Sequence, residues 1–281
     1  MESKFYQADE HRAEKVHELF ATIARRYDLL NDIMSAGLHR RWKRRLVELA
    51  AVGRVPSHGV ASGDAAGHAD TAAWLQGTGA AASGGAAYNR RILDLCCGTG
   101  DIAWRFAREG ATVTGADFTE EMLQVARART PRGSAGASPS HGDVTWVRAD
   151  ALRLPYRDNS FDVVSVGYGL RNLAGIERGL REVLRVLKPG GKFLSLDFGK
   201  PESRAIRAIY FGYLRTVLPI LGRIFCGDPD THGYILASLQ DYPAQRGIRE
   251  LMESIGYQGC GFEEFCLGSM AINYGVKPGS W

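Results

Sequence analysis

The chain has 281 residues, 45% of them hydrophobic and 23% charged, with a formal net charge of +4. That length accommodates one large α/β domain with appendages, and the balance of residue types is that of an ordinary globular protein. So mild a charge does not by itself call for nucleic acid, and no uninterrupted apolar run reaches the roughly 20 residues of a membrane helix.

Residues 1–14 are polar and mixed in charge, without the pattern of a signal peptide. Five cysteines, an odd number without C-x-x-C spacing, fit a reducing cytoplasm better than a disulfide framework. Residues 1–52 read as a helical leader. Val16, Leu19, Phe20 and Ile23 recur at helical spacing, and a further helix is expected over about 38–51. Within it His39-Arg40-Arg41-Trp42-Lys43-Arg44-Arg45 is a basic run with one aromatic. We read it as a solvated face with Trp42, Leu46 and Leu49 turned inward. Contact with anionic lipid ranks next, and nucleic acid last, because no second basic or aromatic platform appears. Residues 53–89 are rich in Ala, Gly, Ser and Thr and poor in large apolar side chains. Such a stretch cannot offset its ordering entropy and reads as a flexible insertion, with His58 and His68 incidental.

Residues 90–281 carry the alternation of strand and helix that builds a mostly parallel sheet. Arg91-Ile92-Leu93-Asp94-Leu95 is a buried strand, Cys96-Cys97-Gly98-Thr99-Gly100 a tight turn, and 102–108 a helix that Asp101 can cap. Adjacent Cys96 and Cys97 serve packing rather than redox or metal chemistry. A second strand, Thr112-Val113-Thr114-Gly115-Ala116-Asp117, ends in a carboxylate about 20 residues past the turn, where it can accept hydrogen bonds from two ribose hydroxyls. A helix over 120–128, a loop over 131–142 and strands over 144–148 and 161–166 follow. An amphipathic helix over 176–187 is stopped by Lys188-Pro189-Gly190-Gly191. Strands over 192–198 and 270–276 and a helix over 247–255 complete the pattern. Residues 203–225 are strongly apolar, yet Arg207, Arg215, Arg223 and Pro219 argue against a bilayer span. Two readings stay open there: a core helix pair, or a lid over about 203–242 that grips a greasy substrate or lies on a membrane surface.

Gly98-Thr99-Gly100-x-x-Ala103 matches the dinucleotide fingerprint, so a nicotinamide cofactor is a rival. Asp94 argues against it, since a pyrophosphate gains nothing from a carboxylate just before the turn. S-adenosylmethionine, with a sulfonium, an ammonium and no phosphate, fits an acid–turn–acid arrangement better.

The chain resembles the ubiquinone/menaquinone biosynthesis C-methyltransferases, within the class I S-adenosylmethionine-dependent enzymes. The motif from Asp94 to Asp101 is similar to the general cofactor signature. The family's own marks are Tyr27-Asp-Leu-Leu-Asn31-Asp-Ile-Met34-Ser35 with His39 and Trp42, Gly169-Leu170-Arg171-Asn172, and Arg185-Val-Leu-Lys-Pro-Gly-Gly191 followed by Leu196-Asp197-Phe198-Gly-Lys200-Pro201. The likeness covers about residues 15–52 and 90–278, and nothing is carried over to 53–89.

The resemblance implies a Rossmann-like, mostly parallel seven-stranded sheet. It implies that Gly98, Thr99 and Gly100 line the methionine portion of S-adenosyl-L-methionine, that Asp117 holds the ribose, and that Asp150 and Ala151 meet the adenine. Tyr168 stands where many relatives have a small hydroxyl residue at the cofactor. The implied reaction moves a methyl group to a ring carbon of a demethylated prenyl quinol, without a metal. A phenol titrates near 10, so at pH 7 the site must help by roughly 3 units, about 4 kcal/mol. Arg171 is the candidate to stabilise the oxyanion or polarise a water, and Asn172 to orient it; a salt bridge that merely holds the loop is the plain alternative for Arg171. Leu95-Cys96-Cys97-Gly98 and Gly167-Tyr168-Gly169 look more like the menaquinone members than the ubiquinone ones. The expected setting is cytoplasmic, peripheral to the inner face of the membrane, with a homo-oligomer left open. A methyltransferase for a small soluble metabolite and an RNA-binding module are the remaining rivals.

Overall fold

A computed structural model describes residues 12–51, 90–129, 143–226 and 230–279. The insertion read at 53–89 and the loop read at 131–142 lie outside the described residues.

The leader folds into α1 (Arg12–Ile23), a 3-10 turn (Ala24–Arg26), α2 (Tyr27–Ser35) and α3 (His39–Ala51). Ala36 and Gly37, both at positive φ, turn the chain between α2 and α3. The strands are β1 (Arg91–Leu95), β2 (Thr112–Asp117), β3 (Val144–Arg148), β4 (Phe161–Gly167), β5 (Leu187–Phe198), β6 (Gln258–Phe265) and β7 (Met270–Val276). Between them lie α4 (Asp101–Arg108), α5 (Glu120–Ala128), α6 (Ile176–Val186), α7 (Arg204–Cys226), α8 (Asp230–Asp241) and α9 (Ala244–Ile255). The strands form one seven-stranded sheet in the order β3-β2-β1-β4-β5-β7-β6. The first five are parallel, and β7 runs antiparallel to both β5 and β6.

Alternation along the strands divides the core into two layers. Leu93, Leu95, Val164, Val166 and Phe193 pack toward α1, α6 and α9. Ile92, Val113, Val163, Leu194 and Ile272 pack toward α3 and α4 through Trp42, Leu46, Ile102 and Phe106. Chain order reverses at β1 and β4, where β2 and β3 lie to one side and β5 to the other. In such sheets the crevice beyond the carboxyl ends of those strands is the place for a ligand.

Four expectations need correction. α6 stops at Val186, and the glycine-rich stop is counted in β5, whose pairing with β4 shifts register after Phe161. α9 starts at Ala244, three residues early. β6 went unread: Gln-Gly-Cys-Gly-Phe-Glu-Glu-Phe carries two glycines and no apolar alternation, because this edge strand is partly solvated and pairs with β7 alone. The basic run on α3 is not simply a solvated face, since His39 and Lys43 are buried beside Trp42, Leu46, Val47 and Ala50.

The apolar stretch after β5 is one long helix, α7, with Pro219 inside it, followed by α8 packed against it. Leu214 and Leu218 of α7 and Tyr234, Ile235 and Leu239 of α8 enter the core. Ile209, Tyr213, Val217 and Ile220 stay exposed.

Candidate active site

The turn after β1 is shaped by backbone freedom. Gly98 and Gly100 sit at φ +55° and +83°, which side chains resist. A methyl group on Gly100 would also fall 2.3 Å from the Trp146 ring, so that glycine makes room for an indole of β3. Gly100 is the N-cap of α4, and Asp101 is its first residue. Asp101 therefore does not cap the helix as expected; its Oδ2 accepts a hydrogen bond from Lys43 Nζ at 2.9 Å. Burial opposes the Asp101 charge, but Lys43 outweighs it and holds the carboxyl below its usual range.

Two cavities open at this edge of the sheet. The first is lined by Asp94, Cys96, Cys97, Gly98, Thr99 and Asp101 from the turn, and by Lys43 from the leader. Asp94 is fully buried, accepts a hydrogen bond from Ser165 Oγ at 2.7 Å, and also draws on the Ala103 amide of α4. Burial, opposed by that hydrogen bond, pushes its pKa up to about 7. A buried carboxylate in the lining of a cavity fits a cationic group. The residues present therefore suit the sulfonium and ammonium of S-adenosylmethionine.

Asp117 ends β2 as expected. Its Oδ2 accepts from the Gly98 amide at 2.8 Å and its Oδ1 from the Thr119 amide at 2.9 Å. These bonds aim the carboxylate and leave lone pairs for ribose hydroxyls. Asp117→Ala should weaken S-adenosylhomocysteine binding by about 1–3 kcal/mol, read by calorimetry; an unchanged dissociation constant would place the ribose elsewhere. Asp150 and Ala151 follow β3 at the same edge. Asp150 is exposed and accepts from the Leu152 amide at 2.9 Å, while Ala151 is buried.

Thr99 is buried, and its hydroxyl donates to Asp28 Oδ1 of α2 at 3.0 Å. Asp28 in turn pairs with Arg129. The Tyr27 ring lies over Gly98, so α2 roofs the turn. Tyr168, at φ +62°, is buried and its hydroxyl has no hydrogen-bond partner among the described residues. Tyr27 and Tyr168 line both cavities and form the partition between them.

The second cavity is lined by Ile23, Leu30, Asn31, Met34, Phe198, Tyr234 and Ile235, with Arg171. Arg171 is 2% exposed. Its Nη1 donates to Asp197 Oδ1 at 2.7 Å and to the Tyr168 carbonyl at 2.9 Å, and its Nη2 donates to the Tyr234 hydroxyl at 2.9 Å. Burial works against this charge, but Tyr234 and Asp197 overcome it and keep the guanidinium above its usual pKa. The Tyr234 oxygen accepts from Arg171, and the Asn172 side chain also reaches this hydroxyl. Asn172 donates from Nδ2 to the Tyr168 carbonyl at 3.3 Å and lines neither of these two cavities.

The expected residues thus gather at one edge of the sheet: Gly98, Thr99, Tyr168 and Arg171 line the two chambers, while Gly100, Asp117, Asp150, Ala151 and Asn172 are not in their lining. Sequence reading passed over Lys43, Tyr27, Asn31, Asp197 and Tyr234 as site residues. A signal existed for Lys43: His39, Trp42, Lys43, Leu46, Val47 and Ala50 repeat as one helical face.

Comparison with known proteins agrees with this architecture. A family model described as the ubiE/COQ5 methyltransferase family matches residues 8–277. The ubiquinone/menaquinone biosynthesis C-methyltransferase UbiE of Azotobacter vinelandii is 35% identical over 271 residues, 95% of this chain and 91% of that protein. The protein of the same name from Ectopseudomonas mendocina is 36% identical over 95% of this chain and 90% of its own. Among solved structures, the putative methyltransferase in complex with the Haloferax volcanii Trm112 methyltransferase activator superimposes with a TM-score of 0.54 at 17% identity, over 92% of this chain and 97% of that one, a likeness of fold. With the family model spanning leader and sheet alike, the dinucleotide reading falls, and the chain belongs to the ubiE/COQ5 methyltransferase family of S-adenosylmethionine-dependent enzymes.

Proposed function

We propose that this enzyme methylates a ring carbon of a demethylated prenyl quinol, converting demethylmenaquinol to menaquinol. The observation that carries this reading is the second cavity, apolar and aromatic on most sides, with one guanidinium and one carboxamide in its wall. A flat aromatic ring with a hydroxyl fits such a lining, and a small charged metabolite does not. The names of the curated relatives support a quinone substrate and cover both quinone pathways. The turn residues Leu95-Cys96-Cys97-Gly98 favour the naphthoquinol, and a benzoquinol is the second reading.

When bound, S-adenosylmethionine supplies an electrophilic methyl group on a sulfonium. The chain's own residues make the ring carbon nucleophilic and hold it in line. A quinol hydroxyl loses its proton, and the oxyanion that develops is met by the Tyr234 hydroxyl and the Arg171 guanidinium behind it. Asp94, Gly98 and Thr99 would hold the cofactor that supplies the methyl to that carbon, and the ring hydrogen and the hydroxyl proton would pass to solvent water. Tyr27 and Tyr168, between the chambers, set the approach of ring to methyl.

The exposed side of α7 supports contact with a membrane surface. Ile209 and Ile220 are 75% and 58% exposed, and with Tyr213 and Val217 they form one stripe. The helix also carries Arg204, Arg207, Arg215 and Arg223 and no acidic residue, as an anionic lipid surface would require. Among the described residues no helix is long and apolar enough to cross a membrane. The test supplies labelled S-adenosylmethionine with reduced demethylmenaquinol or the demethylated benzoquinol in vesicles of anionic lipid. Label should enter the naphthoquinol, and Ile209→Asp with Ile220→Asp should release the enzyme from sedimenting vesicles while turnover on a short-tailed soluble quinol persists. Label in neither quinol would overturn the function, and unchanged sedimentation would overturn the surface.

A further inference from the structure

The cofactor chamber holds one charged side chain that the reaction so far leaves without a task. Lys43 comes from α3 of the leader, and its side chain is 5% exposed. It lines the chamber together with Asp94, Gly98 and Thr99, and its Nζ stands 5.9 Å from the Tyr168 ring centroid. We propose that Lys43 binds the α-carboxylate of the methionine moiety of S-adenosylmethionine, while Asp94 takes the cationic part.

The partnership with Asp101 does not account for burying this lysine. Asp101 is 34% exposed, and its Oδ1 already faces Arg105 Nε at 3.5 Å across one helical turn. An acid that reaches water and has a second cation needs no lysine drawn out of solvent toward it. An ammonium has three donors, and Asp101 Oδ2 accepts from one of them. The other two are available to an anion in the chamber.

The charges in the chamber match the ligand. Asp94 and Asp101 against Lys43 leave an excess of one negative charge when Asp94 is ionised. The ligand's amino-acid end and sulfonium together carry one positive charge in excess. A zwitterion needs an acid and a base on opposite walls. Asp94, fully buried in the chamber lining, is the acid, and Lys43, in the same lining, is the base. The leader thus contributes directly to the cofactor site rather than only roofing it.

This proposal rests on the cofactor assignment, and its test keeps the two apart. Calorimetry compares three ligands on the full chain: S-adenosylhomocysteine, its decarboxylated analogue, and 5′-methylthioadenosine, which lacks the whole amino-acid end. Lys43→Met should weaken S-adenosylhomocysteine about 10-fold to 100-fold and leave the other two within about twofold. Arg44→Met, on the exposed face of the same helix, should leave S-adenosylhomocysteine affinity within about threefold. Equal weakening of all three ligands by Lys43→Met, or no weakening of any, overturns the proposal. So does an Arg44→Met variant as impaired as Lys43→Met. Should Lys43→Met fail to fold, the same ligand comparison in Lys43→Gln decides. Failure of the unaltered protein to bind S-adenosylhomocysteine would instead overturn the cofactor assignment.

Discussion

Arg171→Ala should lower turnover about a hundredfold or more while S-adenosylhomocysteine affinity stays nearly unchanged, because Arg171 lines the substrate chamber and not the cofactor chamber. The structure adds a second consequence. Asp197 is 3% exposed, and removing its partner strands a buried carboxylate, at a cost of about 3–5 kcal/mol of stability. A fall in activity could therefore come from a damaged fold. The double variant Arg171→Met with Asp197→Asn separates the two. It removes both charges, and the carboxamide that replaces the Asp197 carboxylate keeps one acceptor oxygen, for one of the two main-chain amides, of residues 171 and 198, that Asp197 now serves through separate oxygens. It should recover part of the melting temperature lost by Arg171→Ala, because no buried charge is left unpaired. Turnover should stay low, since the charge behind the Tyr234 hydroxyl is gone. If turnover returns together with stability, Arg171 is a strut of the loop and the oxyanion must be met by another group.

The legible part of this protein was the part fixed by local pattern. β2, β3 and β7 were read at their observed ends because each alternates or runs apolar between clear turn signals. The placement of Asp94, Gly98 and Gly100 was legible because one short segment holds them, and that of Asp117 because β2 ends on it. The chambers were not, because their walls come together only through folding. Asp28 meets Thr99 across 71 residues, and Tyr234 meets Arg171 across 63. No periodicity encodes such meetings. Lys43 was misread for a different reason. A lysine in a basic run is ordinarily solvated, and only the chamber that folding assembles around it gives this one a buried place.

Asp94→Asn should weaken S-adenosylmethionine binding about a hundredfold, since it removes the buried counter-charge while keeping size and the Ser165 hydrogen bond. The pH dependence is a sharper signature. Burial raises the Asp94 carboxyl from 3.8 to about 7 in the free protein, against the pull of Ser165. A bound cation favours the ionised form, so binding near neutral pH should expel about half a proton. Affinity should rise as pH climbs from 6 toward 8, by at most about tenfold per unit, and the rise should vanish in Asp94→Asn. Stability of the free protein runs the other way. Between 3.8 and about 7 the folded state holds a proton that the unfolded state has lost, so stability contributed by neutral Asp94 declines as pH rises through that window. Asp94→Asn should remove that decline. Calorimetry in buffers of different ionisation enthalpy measures the proton, and melting curves from pH 5 to 8 measure the stability. A cofactor affinity that is flat with pH in the unaltered protein would mean that Asp94 does not face the cation, and the acidic wall of the chamber would have to be sought in Asp101 alone.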